Sequence, residues 1–427
     1  MKCRVPDING KWSRAAAVVL TAALVALPAG PRAAWAEDTA AAESAAADDA
    51  ATAESTAADD AAAAVSTAAE GKTNADISAA PEIPGLTCES VMPLDYATCF
   101  NVFYYTDGYK VIDVPLSAQY LLIPEGAEAP EGVGDKFVQI REPLDSIYLA
   151  ASSAMALFDA IDSIDKISMS GTSEGTWYID APLEALASGE MVYAGKYSEP
   201  DYETMIALDC DLAIESTMIL HSPEVQEMIE DLDIPVFIDR SAYETGPLGR
   251  TEWVKLYGAM MGRDEEANAF FAEQEQMLDE LEDFPNTGKT IAYFSINTDG
   301  SVVVRTDNDY IPAMLELAGG QYLFRGMDTK GSTASTMAIS MEQFYSVAMD
   351  ADYLIYNATI EAPLTSVDEL VAKDQLFEDF KAVQDGNVWQ VDKKAYQSTD
   401  KLANLILDFH HMLTGDDYDF MFLTQLG

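Results

Sequence analysis

Residues 251–284 read TEWVKLYGAMMGRDEEANAFFAEQEQMLDELEDF and lie between two stretches of alternating strand and helix patterns. Gly262 and Asp264 predict one break, with Asp264 capping a second helix that Pro285 ends. That second helix, over 264–284, would be about 30 Å long. The segment therefore predicts a rigid helical strut between two lobes. The residues with helical spacing are Trp253, Leu256, Tyr257, Met260, Met261, Ala267, Phe270, Phe271, Met277, Leu278 and Leu281.

On both sides of the strut, short β-rich runs alternate with amphipathic runs. This alternation predicts parallel sheets with helices on their faces. The fold class is therefore α/β, with two lobes of mainly parallel sheet joined by a long rigid backbone helix. The predicted strands are 211–215, 235–239, 289–296, 353–357 and 387–391, and the predicted helices are 201–208, 223–232, 311–318, 340–349, 368–383 and 400–413.

Upstream of the first lobe, two β-rich runs flank Thr106-Asp107-Gly108, a typical turn sequence. They predict a leading hairpin over 102–105 and 110–114, followed by a strand over 119–123. The predicted domain boundaries are a signal peptide (1–36), an Ala-rich acidic disordered linker (37–84), the first lobe with its hairpin (85–263), the backbone helix (264–285) and the second lobe (286–427).

The first residues have the pattern of a secretory signal. A basic start precedes an apolar run over 15–27, and Ala34-Trp35-Ala36 is typical of a cleavage site. A retained membrane anchor is the alternative. Cys3 precedes the apolar run, so no lipoprotein cysteine is evident. The protein is expected to be exported, to the extracellular or cell-envelope side of the membrane.

Charge and composition narrow the partners. The 427 residues include 24 Lys plus Arg against 73 Asp plus Glu, a net charge of −49, which argues against a nucleic-acid partner. Three His residues argue against a His-built metal site, and no cofactor is expected. Export makes a disulfide between Cys88 and Cys99 reasonable, worth about 2–3 kcal/mol. Cys210, in an apolar run, is expected to be a buried thiol.

An ordered set of motifs carries a resemblance over residues 100–427. The motifs are YAGKYSEPDYE (193–203), DCDLAI (209–214), PLGRTEW (247–253), LELAGG (315–320), DYLIY (352–356) and FKAV (380–383) followed by GNVW (386–389). The layout and these motifs resemble the substrate-binding proteins of bacterial ABC importers for iron–siderophores, haem and cobalamin, the helical-backbone class III of periplasmic binding proteins. Cys210 stands where that family often has Pro.

The resemblance implies an extracellular receptor that catalyses nothing. It would bind an iron complex, a ferric siderophore in the first place, and deliver it as a monomer to the transmembrane subunits of an ABC permease. Haem or cobalamin binding by the same fold is the alternative. In the family, one Glu on each lobe docks onto Arg residues of the permease, and by motif these are Glu203 and Glu316.

Ligand-binding residues are expected where strands of both lobes end, facing a cleft. Flat aromatic side chains suit planar or aryl chelates, and Arg305 could pair with a carboxylate or catecholate oxygen. His221 could ligate haem iron together with a Tyr. For each residue, a structural role is the alternative. The candidates are Trp177, Tyr178, Tyr197 and His221 on the first lobe, and Arg305 and Tyr310 on the second.

One motif favours an enzyme instead. Residues 171–175 read GTSEG, which matches the G-x-S-x-G nucleophile elbow of serine hydrolases, with Ser173 as nucleophile and His410 late in the chain. The elbow needs a helix directly after the serine, whereas residues 176–179 are β-prone and Pro182 follows. A secreted serine hydrolase is therefore the lesser alternative. A surface adhesion module would explain the linker but not two α/β lobes.

Overall fold

The computed structural model describes residues 76–281, 284–359 and 361–427. The predicted signal peptide and residues 37–75 of the predicted linker lie outside this range, as do residues 282–283 of the predicted backbone helix. Residues 76–84 lie inside it and belong to the fold. Asp76 caps a 3₁₀ turn over Ile77–Ala79, and Ile83 is buried with the apolar side chains on one face of the first sheet.

The chain begins with a five-stranded sheet in the order β1-β2-β3-β4-β5. The predicted hairpin is its β2-β3 pair, and Asp107 and Gly108 take positive φ in the turn. Both faces are buried, one against the first lobe and one under residues 80–88 and 124–137. The leading hairpin is thus part of a larger layer than the sequence predicted. Its strands are β1 Cys88–Val91, β2 Asn101–Tyr105, β3 Lys110–Asp113, β4 Gln119–Ile123 and β5 Val138–Arg141.

The first lobe is a parallel sheet with the strand order β12-β11-β6-β7-β8. Its carboxyl ends all meet at one edge, as the βαβ pattern predicted. A small hairpin of β9 and β10 stands beside it. The elements are β6 Ile147–Leu149, α1 Met155–Asp159, β7 Met169–Ser170, α2 Asp180–Ser188, β8 Val192–Tyr193, β9 Gly195–Lys196, β10 Glu199–Pro200, α3 Tyr202–Ala207, β11 Leu212–Ser216, α4 Pro223–Glu230 and β12 Val236–Asp239.

Two helices, α5 Pro247–Met261 and α6 Asp264–Met277, make up the strut. The second ends at Met277 rather than at the expected residue 284, and a 3₁₀ turn over Asp279–Leu281 follows. This turn lets Leu281 join the core of the second lobe, whereas Phe271 packs in the core of the first. With 14 residues, α6 is about 21 Å long.

Helix α5 is buried nearly all round, including the polar residues Thr251, Glu252 and Lys255. A helix without an exposed face must lie between two bodies. At Gly258 it crosses α6 so closely that a Cβ would come within 2.5 Å of the Ala267 Cβ. Gly262 then ends α5 with φ +66°. The strut is therefore a tight helix pair, of which α5 packs against both lobes.

The second lobe holds the third sheet, in the order β16-β14-β13-β17-β18-β19 with β15 beside β13. Strands β13, β17 and β18 run parallel to one another. At the sheet edges, β14 pairs antiparallel with β13, β16 pairs antiparallel with β14, and β19 pairs antiparallel with β18. Its elements are β13 Thr290–Ile296, β14 Val302–Arg305, α7 Tyr310–Leu317, β15 Gln321–Tyr322, β16 Thr336–Ile339, α8 Met341–Ala348, β17 Tyr353–Asn357, α9 Val367–Lys373, α10 Lys381–Gln384, β18 Val388–Val391, α11 Leu402–Thr414 and β19 Leu423–Gln425.

The helix predicted over 368–383 is broken. It divides into α9, a 3₁₀ turn over Gln375–Asp379 and α10. Asp374 caps the 3₁₀ turn by accepting a hydrogen bond from the Leu376 N–H, which interrupts the helical ladder. Across the described residues, no helix is both long and apolar enough to cross a membrane.

Two buried carboxylates of the strut region hold the loop that connects β1 and β2 of the first sheet. Glu252 accepts hydrogen bonds from the backbone N–H groups of Asp95, Tyr96 and Ala97, at 2.9, 2.8 and 2.7 Å. Glu244 likewise accepts hydrogen bonds from the backbone N–H groups of residues 98 and 99 in the same loop. Side chains of α5 and of the preceding turn thus fix the first sheet onto the strut.

Candidate ligand-binding site

Among the described residues, hydrogen bonds and cation–ring contacts join the two lobes at the edge where the parallel strands end, and we call this region the inter-lobe boundary. Gln397, after β18, accepts a hydrogen bond from the Tyr178 N–H (2.7 Å) and donates one to the Thr176 carbonyl (2.9 Å). The Lys393 ammonium lies 5.5 Å from the centre of the Tyr178 ring. The loops after β7 and β18 therefore face each other, as the cleft prediction requires.

Two further contacts start from Arg250 and Thr251, near the beginning of α5. The Arg250 guanidinium lies 4.1 Å above the Tyr310 ring of the second lobe, and the Thr251 hydroxyl donates to the Thr399 carbonyl at 2.9 Å. Both residues follow closely after β12, whose carboxyl end lies on the same edge as that of β7. The strut thus supplies side chains to the boundary as well as rigidity.

Tyr178 and Tyr310 are the two predicted ligand residues that the structure places at this boundary. Tyr178 is 40% exposed, so part of its side chain is accessible to solvent. Tyr310 is half-buried under the guanidinium of Arg250. An aromatic ring that bears a cation on one face suits a ligand that is both planar and anionic.

Trp177 differs from its neighbour Tyr178. It is 3% exposed and packs in the core of the first lobe, and its indole N–H lies 3.2 Å from the Thr172 carbonyl oxygen. The ring therefore offers no open face for stacking in this structure. Both the indole N–H and the apolar ring of Trp177 make their contacts inside the first lobe.

Arg305 is set back from the boundary. Strand β14 runs antiparallel to β13, and the pairing places Arg305 opposite Tyr293, three residues before the end of β13. That is about 10 Å along the strand. Its guanidinium pairs with Asp309 at 3.2 Å. Burial works against the charge, but Asp309 raises the pKa of Arg305 above its usual value.

The last two predicted ligand residues lie apart from these contacts. Tyr197 is half-buried in the turn between β9 and β10, and His221 is exposed at the end of a 3₁₀ turn over Thr217–His221. Within the described residues, neither side chain makes a hydrogen bond, ion pair or ring contact with the second lobe. Within the described residues, no three His, Cys, Asp or Glu side chains converge as metal ligands.

Two arginines that the sequence reasoning missed lie beside these groups. Arg240 follows the last residue of β12, and the Arg250 Nε–H donates to the Ser241 carbonyl at 3.2 Å. Asp239, the last residue of β12, is buried and accepts hydrogen bonds from Ser241 and Tyr257. Burial raises the pKa of Asp239 in spite of these bonds. Arg240 could have been named as a candidate from the sequence, since it directly follows the end of a strand that the sequence predicted correctly.

The two predicted docking acids are both exposed, one on each lobe. Glu203 lies in the first turn of α3, and its carboxylate makes no hydrogen bond or ion pair within the described residues. Glu316, on α7, is engaged by Arg325 through two hydrogen bonds of 2.8 and 2.9 Å. Arg325 also donates to Asp307 at 3.3 Å. The second acid is therefore already paired inside the chain.

The predicted disulfide is wrong for this structure. Among the described residues, Cys88, Cys99 and Cys210 are free thiols. Cys88 packs on one face of the first sheet and Cys99 against the core on the other, so the sheet separates them. Burial and the nearby Glu244 carboxylate raise the pKa of Cys99 to about 12, which keeps this thiol protonated.

The GTSEG motif does not form a nucleophile elbow. After β7 the chain makes a loop and a 3₁₀ turn over Glu174–Thr176, and α2 starts only at Asp180. The Ser173 hydroxyl lies 3.3 Å from the Thr176 hydroxyl. His410 lies in the second lobe, with its Nδ1 atom 3.2 Å from the Ala318 carbonyl oxygen. The strand–serine–helix geometry that the hydrolase alternative needs is absent here.

One buried acid of the first lobe leads to a pH prediction. Glu215, on β11, is 0% exposed, and neither carboxylate oxygen has a hydrogen-bond partner within the described residues. Burial raises the pKa of Glu215 well above its ordinary value of 4.5. The unfolded chain thus releases a proton that the folded chain keeps. Stability is lost as pH rises above 4.5, by about 1.4 kcal/mol for each pH unit up to the folded pKa.

Glu215→Gln should therefore raise the unfolding temperature at pH 8, and the gain should shrink as the pH is lowered toward 5. Thermal unfolding followed by circular dichroism across this range measures both effects. Glu227→Gln, on the exposed side of α4, is the matched control and should change neither. A gain of equal size at every pH would contradict the ionisation argument.

Comparisons with known proteins agree with this architecture. A model of the family described as periplasmic binding protein matches residues 152–395. The chain is 26% identical to an uncharacterized lipoprotein of Methanocaldococcus jannaschii over 322 residues, which cover 69% of this chain and 75% of that protein.

Two solved structures show the likeness of fold. A periplasmic haem-binding protein of Vibrio cholerae aligns with a TM-score of 0.51 at 14% identity, over 62% of this chain and 98% of its own. A periplasmic catecholate-siderophore-binding protein of the same species aligns with a TM-score of 0.50 at 14% identity, over 63% and 94%. The predicted resemblance and fold class are confirmed: the chain belongs to the periplasmic binding protein family.

Proposed function

We propose that the protein is the exported receptor of an ABC importer and that it binds an iron complex, a ferric siderophore in the first place, between its lobes. The family is one of substrate-binding proteins. The observation that carries the proposal is the inter-lobe boundary, where Tyr178 lies near the Lys393 cation of the second lobe and Tyr310 near the Arg250 cation of the strut. A ligand held there would touch both lobes at once.

The protein partner and the cellular location follow from the same argument. The permease subunits of the importer would receive the ligand, and the receptor would act as a monomer on the outer side of the membrane. The relative from M. jannaschii is named a lipoprotein, which supports an envelope location. The signal pattern over residues 1–36 supports export of this chain.

Fluorescence titration tests the proposal. Trp177 is directly followed by Tyr178, so a ligand at the boundary should quench intrinsic tryptophan emission. We expect saturable quenching by at least one ferric siderophore and none by its iron-free form. Haemin and cyanocobalamin belong in the same panel, and the tightest binder among them identifies the ligand class. Absence of saturable binding by every member would reject the proposal.

The strut predicts how far the lobes move on binding. Because α5 is buried against both lobes, a large hinge motion would expose its apolar side chains to water. Small-angle scattering curves recorded with and without a saturating ligand should therefore nearly superimpose. A marked decrease in the radius of gyration on ligand addition would contradict a rigid strut.

A further inference from the structure

A short polar segment of the second lobe, residues 397–400, is buried between the lobes. Its four residues, Gln-Ser-Thr-Asp, are each at most 6% exposed. Gln397 bonds the loop after β7, the Thr399 carbonyl accepts from the Thr251 hydroxyl on α5, and the 3₁₀ turn over Thr399–Lys401 packs against α1 and α5. Residues of these types are mostly exposed in proteins. Here they form the contact of the second lobe with the first lobe and the strut.

Asp400 is incompletely paired in this contact. It is 6% exposed, and its Oδ1 atom has no hydrogen-bond partner within the described residues. Its Oδ2 atom lies 3.2 Å from the Nζ atom of Lys401, whose side chain is largely exposed. Removal from water disfavours the charged form of a carboxyl group. Burial raises the pKa of Asp400, Lys401 lowers it, and the Asp159 carboxylate of the first lobe adds to the rise.

Asp159 brings a second acid to the same place from the first lobe. It is the last residue of α1, against which the turn of Asp400 packs, and it is exposed at the rim of the contact. Partial burial raises the pKa of Asp159, Lys401 lowers it, and Asp162 and Glu184 raise it further. Two carboxylates from opposite lobes therefore share the Lys401 ammonium. When both are ionised, they repel each other across the boundary.

Other charged side chains on the elements around this segment have contacts of their own. The contacts are Glu252 with Lys255 and Arg250 with Tyr310 on α5, Lys393 with Tyr178 and Lys394 with Phe422 in the turn before the segment, and Asp408 with the backbone of residues 421–423, His410 with the Ala318 carbonyl and His411 with Asp416 on α11. The charge of the Asp400 and Asp159 pair is therefore compensated mainly by Lys401.

We propose that residues 397–401 form a proton-dependent latch between the lobes: proton uptake by Asp400 and Asp159 holds the lobes together, and ionisation of both lets them part more readily. Parting would return both carboxyl groups to water and their pKa toward the ordinary value of 3.8. The closed boundary thus binds protons more tightly than the open one. The contribution of the protons to closure is complete below pH 3.8 and is lost as the pH rises through the raised pKa values.

Hydrogen–deuterium exchange of the ligand-free protein tests the latch. Mass spectrometry follows the peptide that covers residues 397–402, whose short 3₁₀ turn is stable only while it is packed. Observed rates are divided into the intrinsic exchange rate at each pH, and the peptide of β11 is the reference for global unfolding. Protection of residues 397–402 should rise as the pH is lowered from 8 to 4.5, by about tenfold for each unit by which closure raises a pKa.

Asp400→Asn should be better protected than the unsubstituted chain at pH 8 and should lose most of the rise on acidification. Asp159→Asn, at an exposed position where the substitution is tolerated by the fold, should change in the same direction by a smaller amount. Asp385→Asn is the matched control, since Asp385 is an exposed acid of the second lobe that pairs with Lys381. Its profile should follow that of the unsubstituted chain.

Two results would overturn the latch. One is protection of residues 397–402 that does not depend on pH in the unsubstituted chain. The other is an unchanged pH profile in Asp159→Asn together with lower protection of Asp400→Asn at pH 8, which would assign Asp400 to packing alone. Because no ligand is present in these measurements, either result would leave the proposed function standing.

Discussion

Glu252→Ala should lower the free energy of unfolding by about 3–5 kcal/mol, the usual cost of removing one partner of a buried ion pair. The carboxylate is 0% exposed. It accepts three backbone hydrogen bonds from the loop before β2 and pairs with the Lys255 ammonium at 2.7 Å. Its removal leaves three N–H groups unsatisfied and one ammonium without its counter-ion. The effect should spread to the first sheet, which this loop fixes to the strut.

Chemical denaturation of the ligand-free protein measures this loss. Glu266→Ala is the matched control, because Glu266 pairs with Arg263 on the surface of the same helix pair, with 44% of its side chain exposed. That variant should lose far less stability than Glu252→Ala, because an ion pair between exposed side chains is worth little. Glu252→Ala combined with Lys255→Met should recover part of the loss, since the orphaned charge is gone. Equal losses in Glu252→Ala and Glu266→Ala would show that the buried pair does not anchor the loop.

Simultaneous Glu203→Ala and Glu316→Ala substitution should abolish import of the ligand and leave its affinity for the receptor unchanged. The family resemblance implies that one acid on each lobe docks onto the permease, and such a pair would report the spacing of the lobes. Both carboxylates are exposed and lie outside the inter-lobe boundary. Because Glu316 is paired with Arg325, a permease cation would have to displace the Arg325 guanidinium or share the Glu316 carboxylate with it. Glu203 carries no such competitor.

Uptake of radiolabelled iron complex by cells, together with fluorescence titration of the purified variant, gives both measurements. Glu227→Ala with Glu378→Ala removes one exposed acid from each lobe and is the control for charge alone. Arg325→Ala should keep or increase import, because it frees Glu316. Unchanged uptake in the Glu203 and Glu316 double variant would reject both docking assignments.

Local patterns predicted the elements and the fold class well. Strand β17 has the predicted bounds, 353–357, and β4 has the bounds 119–123, because short apolar runs between turn residues leave little freedom. The division into two lobes followed from the strut, since helical spacing over 251–284 has no strand-like alternative. The exact length of the second strut helix, α6, could not be predicted from the sequence, because the turn after Met277 depends on Leu281 reaching the core of the second lobe.

Contacts that are distant in sequence were not predictable in the same way. Trp177 and Tyr178 are neighbours with the same aromatic character, yet one is in the core and the other at the boundary. The backbone is extended at Trp177, so successive side chains point to opposite sides of the chain. The hydrogen bond from the Tyr178 N–H to Gln397 joins residues that are 219 positions apart in the sequence, and it depends on tertiary packing. The disulfide prediction rested on spacing along the chain, which does not reveal that a sheet separates Cys88 from Cys99.

Gln397 links the two loops of the inter-lobe boundary through two hydrogen bonds that must form or break together. One buried amide group both receives the Tyr178 N–H and donates to the Thr176 carbonyl. Separation of the loops would break both bonds together. The backbone proton of Tyr178 should then exchange with deuterium at the rate of loop parting, which makes this single amide a reporter for ligand entry and exit.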